Sequence, residues 1–429
     1  RGDKGVLKGE FAANEAKSIV PVETYKKMVD ELAEKKPVYY LWGGEPFLYP
    51  DLFELVRYIQ SKGSFCSINT NGTLLEKYAE QIVKDKWNVI FVSLDAFKDV
   101  NDEMRGPGSY DRVIKGFEAI NREKKKQGST LPIMGVVTTV TNKNYKSLAD
   151  LAVACKDLEI DLHMYNLGTY TNDEIFAKHK AYFKEKLGTD IYCLEGYNTG
   201  YNENIDGAEL HQILDTIHST DYGYLSITVP ALNPEKTHEY YSKLEVPVRN
   251  HCIVPWCQAN INYNGDVCFC ADYSEYPLGN IKEQSFKEIY NGERANKFRR
   301  AISECEGGIF PGCLRCYQNM LFGKKIKGYF SAFSRVDVQS FLISEGLAVY
   351  SIKTSPWINF LYKESSFGSP KMKTKELIFW LTQLSTYLKA GITLNDAVKI
   401  LSKQMSSNKS KGRAFQSISY ELTLGSSFS

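Results

Sequence analysis

Four cysteines in the second half of this 429-residue chain are spaced as metal ligands often are. They follow the pattern Cys252-x12-Gly265-x4-Cys270, and the pair Cys313-x2-Cys316 comes later in the chain. Gly265 permits a hairpin turn that brings Cys252 and Cys270 together, and the short spacing of Cys313 and Cys316 favours a tight turn. Four thiolates held in this way suit an iron–sulfur cluster or a zinc ion, and the spacing alone leaves both open.

The six other cysteines have less informative positions. Three of them could replace one of the four ligands or serve a second cluster: Cys257, Cys268 and Cys305. The others are predicted to be core or bystander residues: Cys66, Cys155 and Cys193. The chain lacks the charged-then-apolar pattern of an export signal, so we expect a reducing, cytoplasmic location. Clustered cysteines in that compartment bind metal more often than they form disulfides.

Polar or glycine-rich segments follow three successive predicted strands. Gly43-Gly44-Glu45-Pro46 follows the first strand, Asn69-Thr70-Asn71-Gly72 ends the second, and Ser93-Leu94-Asp95 ends the third, with Arg105 further on. The carboxyl ends of parallel strands meet at one edge of a sheet, where ligands bind. Each segment could instead be only a turn. Three such segments in order favour a site for the charged groups of an amino acid and a ribose.

An alternation of apolar strands and amphipathic helices between Pro21 and Pro230 predicts a parallel α/β sheet with crossover helices. The predicted strands are residues 38–42, 65–70, 89–94, 133–140 and 162–167, with residues 225–230 as a further candidate. Residues 20–35 are predicted to form a helix, so a first strand would lie upstream of Arg1.

The three polar segments resemble the core of the radical S-adenosylmethionine (SAM) superfamily. The resemblance rests on residues 41–46, 67–72, 92–95, 105–106 and 108–111. It implies a partial (β/α)6 TIM-like barrel over residues 1–235, which here would lack its first strand. It also implies that S-adenosyl-L-methionine binds to the Gly-Gly-Glu-Pro backbone and to polar groups on later strands. The implied cofactor-binding residues are Gly43, Gly44, Glu45, Pro46, Asn69, Thr70, Asn71, Ser93, Asp95 and Arg105.

The cysteine pattern resembles the SPASM or half-SPASM (twitch) extension of the same superfamily. Pro255-Trp256, Leu278-Gly279-Asn280-Ile281 and Ile289-Tyr290-Asn291-Gly292 add to the resemblance. It implies an iron–sulfur domain over residues 236–322 that binds an auxiliary 4Fe-4S cluster. The implied ligands are Cys252, Cys270, Cys313 and Cys316. Beside a radical SAM core, iron–sulfur is favoured over zinc.

One departure from the family changes what is expected of this chain. The diagnostic Cys-x3-Cys-x2-Cys loop, which holds the cluster that cleaves SAM, has no counterpart before Cys66. We therefore expect an amino-terminal truncation. The intact parent is expected to be a radical enzyme, whereas this chain alone is expected not to generate the radical.

Residues 323–429 differ from the rest in composition. Lys and Arg outnumber Asp and Glu there by 15 to 6, and all ten cysteines precede Gly323. Residues 375–389 and 394–405 have the apolar spacing of an all-α helical hairpin that turns at Ala390-Gly391. This segment resembles the start of the inner-membrane platform protein of type II secretion and type IV pilus systems. The charge balance changes and the cysteines stop near Phe322, and each of the two resemblances is truncated at its outer end. We therefore hypothesise that two genes are joined near Phe322.

These features together predict an enzyme that modifies a peptide or small metabolite and takes electrons from a donor such as a flavodoxin or ferredoxin. The net charge of +2 does not favour nucleic acid, and no apolar run of about 18 residues predicts a membrane span. Two alternatives remain open. One is a secretion or pilus assembly protein that carries the barrel as a passenger, and the other is a zinc-binding α/β protein.

Histidine supplies one further candidate. His163, in predicted strand 162–167, is the histidine that could face a barrel interior, although a packing role is favoured. Asp161, Tyr165 and Asn166 lie on or beside that strand and are candidates to touch substrate.

Overall fold

The computed structural model describes residues 19–248, 251–316, 382–384, 386–387 and 401. The chain divides into two compact units, Arg1–Tyr350 and Ser351–Ser429. The elements named below belong to the first unit. In the second unit, residues 382–384, 386–387 and 401 are helical, and the rest of the predicted hairpin lies outside the described residues. The predicted domain boundaries stay predictions.

A parallel sheet of six strands forms the first part of the described chain, and the strands pair in sequence order. This confirms the predicted α/β architecture and adds the sixth strand. The strands are β1 Val38–Leu41, β2 Phe65–Thr70, β3 Val89–Ser93, β4 Ile133–Thr139, β5 Leu162–Asn166 and β6 Leu225–Val229.

Helices connect successive strands, as a parallel sheet requires. Around the sheet they are α1 Val22–Leu32, α2 Leu52–Ser61, α3 Leu75–Lys84, α4 Lys98–Arg105, α5 Ser109–Gln127, α6 Leu148–Lys156, α7 Asp173–Leu187, α8 Gly207–Ser219 and α9 Pro234–Ser242. Helices α4 and α9 were not predicted. Both are short and mostly polar, so their apolar spacing is weak.

The two faces of the sheet have different surroundings because side chains alternate along a strand. One face packs against the helices, and Ile68, Val92 and Val136 are buried there in a continuous core. The strand register puts Asn69 beside Phe91, so Asn69 and Ser93 lie on the opposite, inner face. Polar residues on that inner face therefore point away from the helical layer.

The turn after β2 requires glycine. Gly72 has a φ of 77°, and a Cβ at this position would lie 2.6 Å from Cγ1 of Val92. A side chain would meet both backbone strain and a clash. The Asn71-Gly72 turn predicted from the sequence is thus also a point of close packing between β2, β3 and α5.

The cysteine-rich segment forms a small structure of its own. Its elements are α10 Val254–Cys257, β7 Asn260–Ile261, β8 Asp266–Cys268, β9 Gly279–Asn280, α11 Phe286–Asn291 and α12 Glu293–Glu304. Strands β7 and β8 are antiparallel, and Gly265 precedes β8 with a φ of 90°. The predicted hairpin is confirmed. Helix α7 adds Phe183 and Leu187 to the apolar core of this segment.

Candidate cofactor and cluster sites

The backbone after β1 is open to a ligand. Gly43 and Gly44 are both exposed, and no atom lies within 4 Å of the position that a Cβ would take at either residue. Gly43 has a φ of 155°, a conformation that residues with a side chain rarely adopt. The two glycines therefore leave free space against the backbone at the carboxyl edge of the sheet. This is the edge at which the family resemblance implies a cofactor site.

Glu45 joins the ends of β1 and β2. Its Oε1 accepts hydrogen bonds from the Thr70 hydroxyl at 2.7 Å and the Phe47 N–H at 3.2 Å, and its Oε2 accepts one from the Asn71 N–H at 2.9 Å. The structure thus brings predicted residues Glu45, Thr70 and Asn71 together. Their mutual hydrogen bonds fix the edge on which Gly43 lies, and Pro46 begins the short 3-10 helix that follows.

Asp95 and Arg105 form an ion pair at the end of β3. Arg105 Nε lies 2.8 Å from Asp95 Oδ2, and the Thr139 N–H donates to Asp95 Oδ1 at 2.8 Å. The Asp95 side chain is 4% exposed and that of Arg105 is 25% exposed. Asp95 is therefore enclosed by protein groups, while Arg105 keeps an accessible surface at the same edge.

Two buried asparagines that the sequence analysis missed hold the Asp95 backbone. Asn101 Oδ1 accepts from the Asp95 N–H, and Asn144 Nδ2 donates to the Asp95 carbonyl at 2.7 Å. Both residues are at most 1% exposed. The sequence gives no signal for either contact. Asn101 is one of several polar residues of α4, six positions after Asp95, and Asn144 is 49 positions after Asp95, beyond β4.

Two buried polar atoms on the inner face of β2 have no hydrogen-bond partner among the described residues. They are Oγ of Ser67 and Oδ1 of Asn69. A buried polar atom without a partner is costly, so such atoms commonly bind a ligand or water. They suit a polar ligand on the inner face of the sheet, below the open edge at Gly43. Ser93 lies on this face too and is also buried.

His163 does not face the barrel interior and has the packing role that the sequence favoured. The Thr138 hydroxyl donates to the Leu94 carbonyl, so it accepts from Nε2 of His163, and the Tyr165 hydroxyl then donates to Nδ1. Strand register places His163 beside Val136, on the face that packs against helices. Burial lowers the pKa of His163 to about 3. It is a neutral packing residue.

Three neighbours of His163 were candidates to touch substrate. The structure gives them different surroundings. Tyr165 is buried in the helix-facing core. Asp161 accepts from the Met134 N–H at 2.8 Å. Asn166 alternates with Tyr165 and so lies on the inner face, where its Oδ1 accepts from the Gly168 N–H. Among the three, Asn166 shares the inner face with the polar residues of β2.

One cavity is lined by four cysteines from three separate segments of the chain. They are the predicted ligands Cys252, Cys270, Cys313 and Cys316, and the rest of the lining is apolar or aromatic. The three other candidate ligands do not line it: Cys257 is exposed, Cys268 lies in β8, and Cys305 follows α12. Cys66 and Cys155 lie in the helix-facing core.

The four cysteines are the donor set of the cavity. Four thiols suit a zinc ion, which needs its sulfur ligands at about 2.3 Å from one point, and they equally suit an iron–sulfur cluster, in which each sulfur binds its own iron. In the described residues, no group of three or more His, Cys, Asp or Glu side chains is arranged to hold one metal ion.

The thiols are neutral until metal replaces their protons. Burial raises the pKa of Cys270 and of Cys313 well above the usual value, and it raises that of Cys252 to about 11. Metal binding requires thiolates, so binding here releases protons. Cys313 has one close polar neighbour, the hydroxyl of Tyr273 at 2.6 Å from its Sγ.

Arg315, between Cys313 and Cys316, is fully buried. Its guanidinium lies near the end of α9, where unpaired carbonyls favour a cation. The acceptors are the backbone carbonyls of Glu239, Tyr240, Lys243, Val246 and Leu314. Arg315 therefore ties the turn that carries two cysteines to the helix that follows β6. The sequence does not reveal this contact, because the acceptors are backbone atoms.

The parallel sheet with an open glycine edge and the cysteine-lined cavity together define an α/β protein with a candidate ligand edge and a separate cysteine site. Residues 9–152 match the family model described as the radical SAM superfamily. Residues 252–317 match that of SPASM, an iron–sulfur cluster-binding domain. An AdoMet-dependent heme synthase of Oleidesulfovibrio alaskensis is 30% identical, over 81% of this chain and 81% of that protein. The chain belongs to the radical SAM superfamily and contains a SPASM domain.

Two further relatives show the range of the family. An Fe-coproporphyrin III synthase of Methanosarcina barkeri is 25% identical, over 62% of this chain and 65% of that protein. The antilisterial bacteriocin subtilosin biosynthesis protein of Bacillus subtilis is 25% identical, over 67% of this chain and 56% of that protein. The chain thus spans less than two thirds of the length of both. Radical SAM and SPASM domains imply SAM and 4Fe-4S clusters.

None of the described helices combines the length and the apolar character that are needed to cross a bilayer. The secretion-platform resemblance of residues 323–429 falls almost wholly outside the described part of the chain.

Proposed function

We propose that this chain supplies the SAM-binding barrel and the auxiliary-cluster domain of a radical SAM enzyme that modifies a peptide or small metabolite. The observation that carries the proposal is the single cavity lined by Cys252, Cys270, Cys313 and Cys316. Family membership alone implies a cluster-binding domain but does not identify its ligands. The cavity supports the four predicted ligands, because they line it and Cys257, Cys268 and Cys305 do not.

The proposed SAM site is the carboxyl edge of β1, β2 and β3. Gly43 and Gly44 supply open backbone for the methionine ammonium, and the partly exposed Arg105 side chain pairs with Asp95 at the end of β3. Glu45, Thr70 and Asn71 hold this edge through their mutual hydrogen bonds. The remaining members of the proposed site are Pro46, Asn69, Ser93 and Asp95.

Bound SAM and its cluster would supply a 5′-deoxyadenosyl radical that abstracts hydrogen from the substrate, with electrons from a flavodoxin or ferredoxin. The auxiliary cluster would accept an electron or hold the substrate. The residues of this chain bind and orient: the inner-face groups Ser67, Asn69 and Asn166 offer polar contacts to a ligand, and Arg315 holds the cysteine turn.

The names of two relatives support two candidate substrate classes. One relative that covers most of this chain is named a heme synthase, and another is named for the synthesis of the peptide subtilosin. We propose a heme precursor as the first small metabolite to test, and a peptide as the second candidate. The secretion-platform function has no supporting relative among those described above and stays a prediction for residues 323–429.

Anaerobic reconstitution with iron and sulfide tests the cluster. We expect about four irons and four sulfides per chain, as one 4Fe-4S cluster requires. The double variant Cys313→Ala/Cys316→Ala removes two of the four cavity ligands and should lose this iron. The matched control is Cys257→Ala/Cys305→Ala, which removes two thiols outside the cavity and should keep the full content.

Two results would contradict the proposal. Zinc without sulfide in the unaltered protein would support the zinc-binding alternative. Loss of iron in the control, with iron retained in Cys313→Ala/Cys316→Ala, would show that the cavity is not the cluster site.

A further inference from the structure

Tyr273 lies between the two halves of the cysteine set. It ends the 3-10 helix Ala271–Tyr273, which begins directly after Cys270, and its N–H donates to the Cys270 carbonyl at 3.1 Å. Its hydroxyl lies 2.6 Å from Sγ of Cys313. One residue thus connects a cysteine of the hairpin with a cysteine of the later tight turn.

The ring of Tyr273 is held on several sides by other aromatic rings. The ring centroids of Phe183, Phe310 and Phe298 lie 5.0, 5.8 and 6.0 Å away, and Tyr273 is 3% exposed. A ring packed in this way has little freedom to turn. The hydroxyl is therefore held toward Cys313, in surroundings that are largely shielded from solvent.

The direction of the Tyr273–Cys313 hydrogen bond depends on whether Cys313 binds metal. A neutral thiol has a hydrogen of its own, so either group can be the donor. A thiolate that binds iron has no hydrogen. The hydroxyl of Tyr273 is then the donor, and the bond becomes a charge-assisted hydrogen bond to sulfur in water-poor surroundings.

We propose that Tyr273 is a positioning residue that raises the reduction potential of the auxiliary cluster by donating a hydrogen bond to the Cys313 thiolate. The inference rests on the proposed function, because it requires a cluster at Cys313. Reduction adds an electron, so the sulfurs of the reduced cluster carry more negative charge. A hydrogen bond to sulfur stabilises that state more than the oxidised one, and hydrogen bonds to the sulfurs are among the factors that set these potentials.

The test compares Tyr273→Phe with Tyr276→Phe in the full reconstituted chain. Tyr276 is equally buried and packs against Phe298, but its hydroxyl donates to the Arg294 carbonyl instead of a cysteine. Iron and sulfide content are measured first, and the cluster is then titrated with dithionite and followed by electron paramagnetic resonance. We expect a lower potential in Tyr273→Phe at unchanged iron content, and an unchanged potential in Tyr276→Phe.

The outcomes separate this inference from the proposed function. No cluster in the unaltered protein would overturn both. Full iron in Tyr273→Phe with an unchanged potential would overturn only the role of Tyr273. Where Tyr273→Phe does not retain iron, resonance Raman spectra of the unaltered protein in H2O and D2O decide the question. A shift of the iron–thiolate bands in D2O supports a hydrogen bond from an exchangeable hydrogen to the thiolate sulfur. Identical bands in the two solvents overturn the proposal.

Discussion

His163 and His179 are both completely buried, but their ring nitrogens differ in what they contact. His163 is hydrogen-bonded through both nitrogens to Thr138 and Tyr165. Neither nitrogen of His179 has a partner among the described residues, although its ring packs 5.3 Å from that of Tyr273. Burial lowers the pKa of each histidine to about 3, so both are neutral in the folded protein at pH 7.

We expect these two histidines to make the free energy of unfolding fall in acid. Their folded-state pKa lies below the unfolded value of about 6.5, so the unfolded chain binds more protons between pH 6.5 and pH 3. Their stabilising contribution is complete above pH 6.5. It is lost as the pH falls, at up to about 1.4 kcal/mol per pH unit for each residue.

The variant His179→Met isolates one of these contributions. Methionine adapts its shape to a packed core and does not titrate. Urea unfolding at pH 7.5 and pH 5.0 should show a smaller loss of stability in this variant than in the unaltered protein. Exposed His238→Met is the control and should keep the full loss. An identical acid response in all three proteins would mean that burial does not govern the titration of His179.

At the scale of elements, helices α8 and α9 pack closely against each other at a glycine. A Cβ on Gly207, the first residue of α8, would lie 2.6 Å from the Thr237 carbonyl oxygen and 2.7 Å from Cα of His238. Both neighbours are backbone atoms of α9, which cannot move aside as a side chain could. The close contact of these two helices therefore depends on the absence of a side chain at Gly207.

Gly207→Ala should lower the free energy of unfolding by about 1–3 kcal/mol, as overpacking typically does. Gly44→Ala is a matched control for stability, since no atom lies within 4 Å of its added Cβ. Chemical denaturation of the two variants measures the difference. Equal stabilities would show that α8 and α9 separate without cost.

At the scale of the whole described molecule, Glu31 joins the barrel to the cysteine-rich segment. This residue of α1 accepts hydrogen bonds from the Phe286 N–H at 2.9 Å and the Lys287 N–H at 2.7 Å. Those two N–H groups begin α11, where orphan donors favour an anion. A carboxylate 255 residues away in sequence from Phe286 thus completes the start of the helix.

Glu31→Ala should weaken this junction without removing either core. We expect faster hydrogen exchange at the amides of Phe286 and Lys287, because they lose their acceptor. Exposed Glu34→Ala, one turn further along, is the control and should leave both rates unchanged. Unchanged exchange at Phe286 and Lys287 in Glu31→Ala would show that the carboxylate does not hold α11.

Local pattern was enough to predict much of this protein. Residues 65–70 form the predicted strand with the predicted bounds, because apolar periodicity and the Asn71-Gly72 turn act within a few residues. The spacing of Cys252, Cys270, Cys313 and Cys316 likewise predicted the four thiols that line one cavity.

Tertiary structure alone decided which face a residue occupies and which distant groups it meets. In β5, His163 and Tyr165 share one face and Leu162, Met164 and Asn166 share the other, so each face carries a polar residue. The sequence of the strand therefore does not reveal that His163 lies on the helix-facing side. The contacts of Tyr273 with Cys313, of Arg315 with the end of α9, and of Glu31 with α11 join residues 40 to 256 positions apart. The sequence determined the elements and the chemistry available, and long-range packing decided which side chains meet, because such contacts depend on how whole elements fit together.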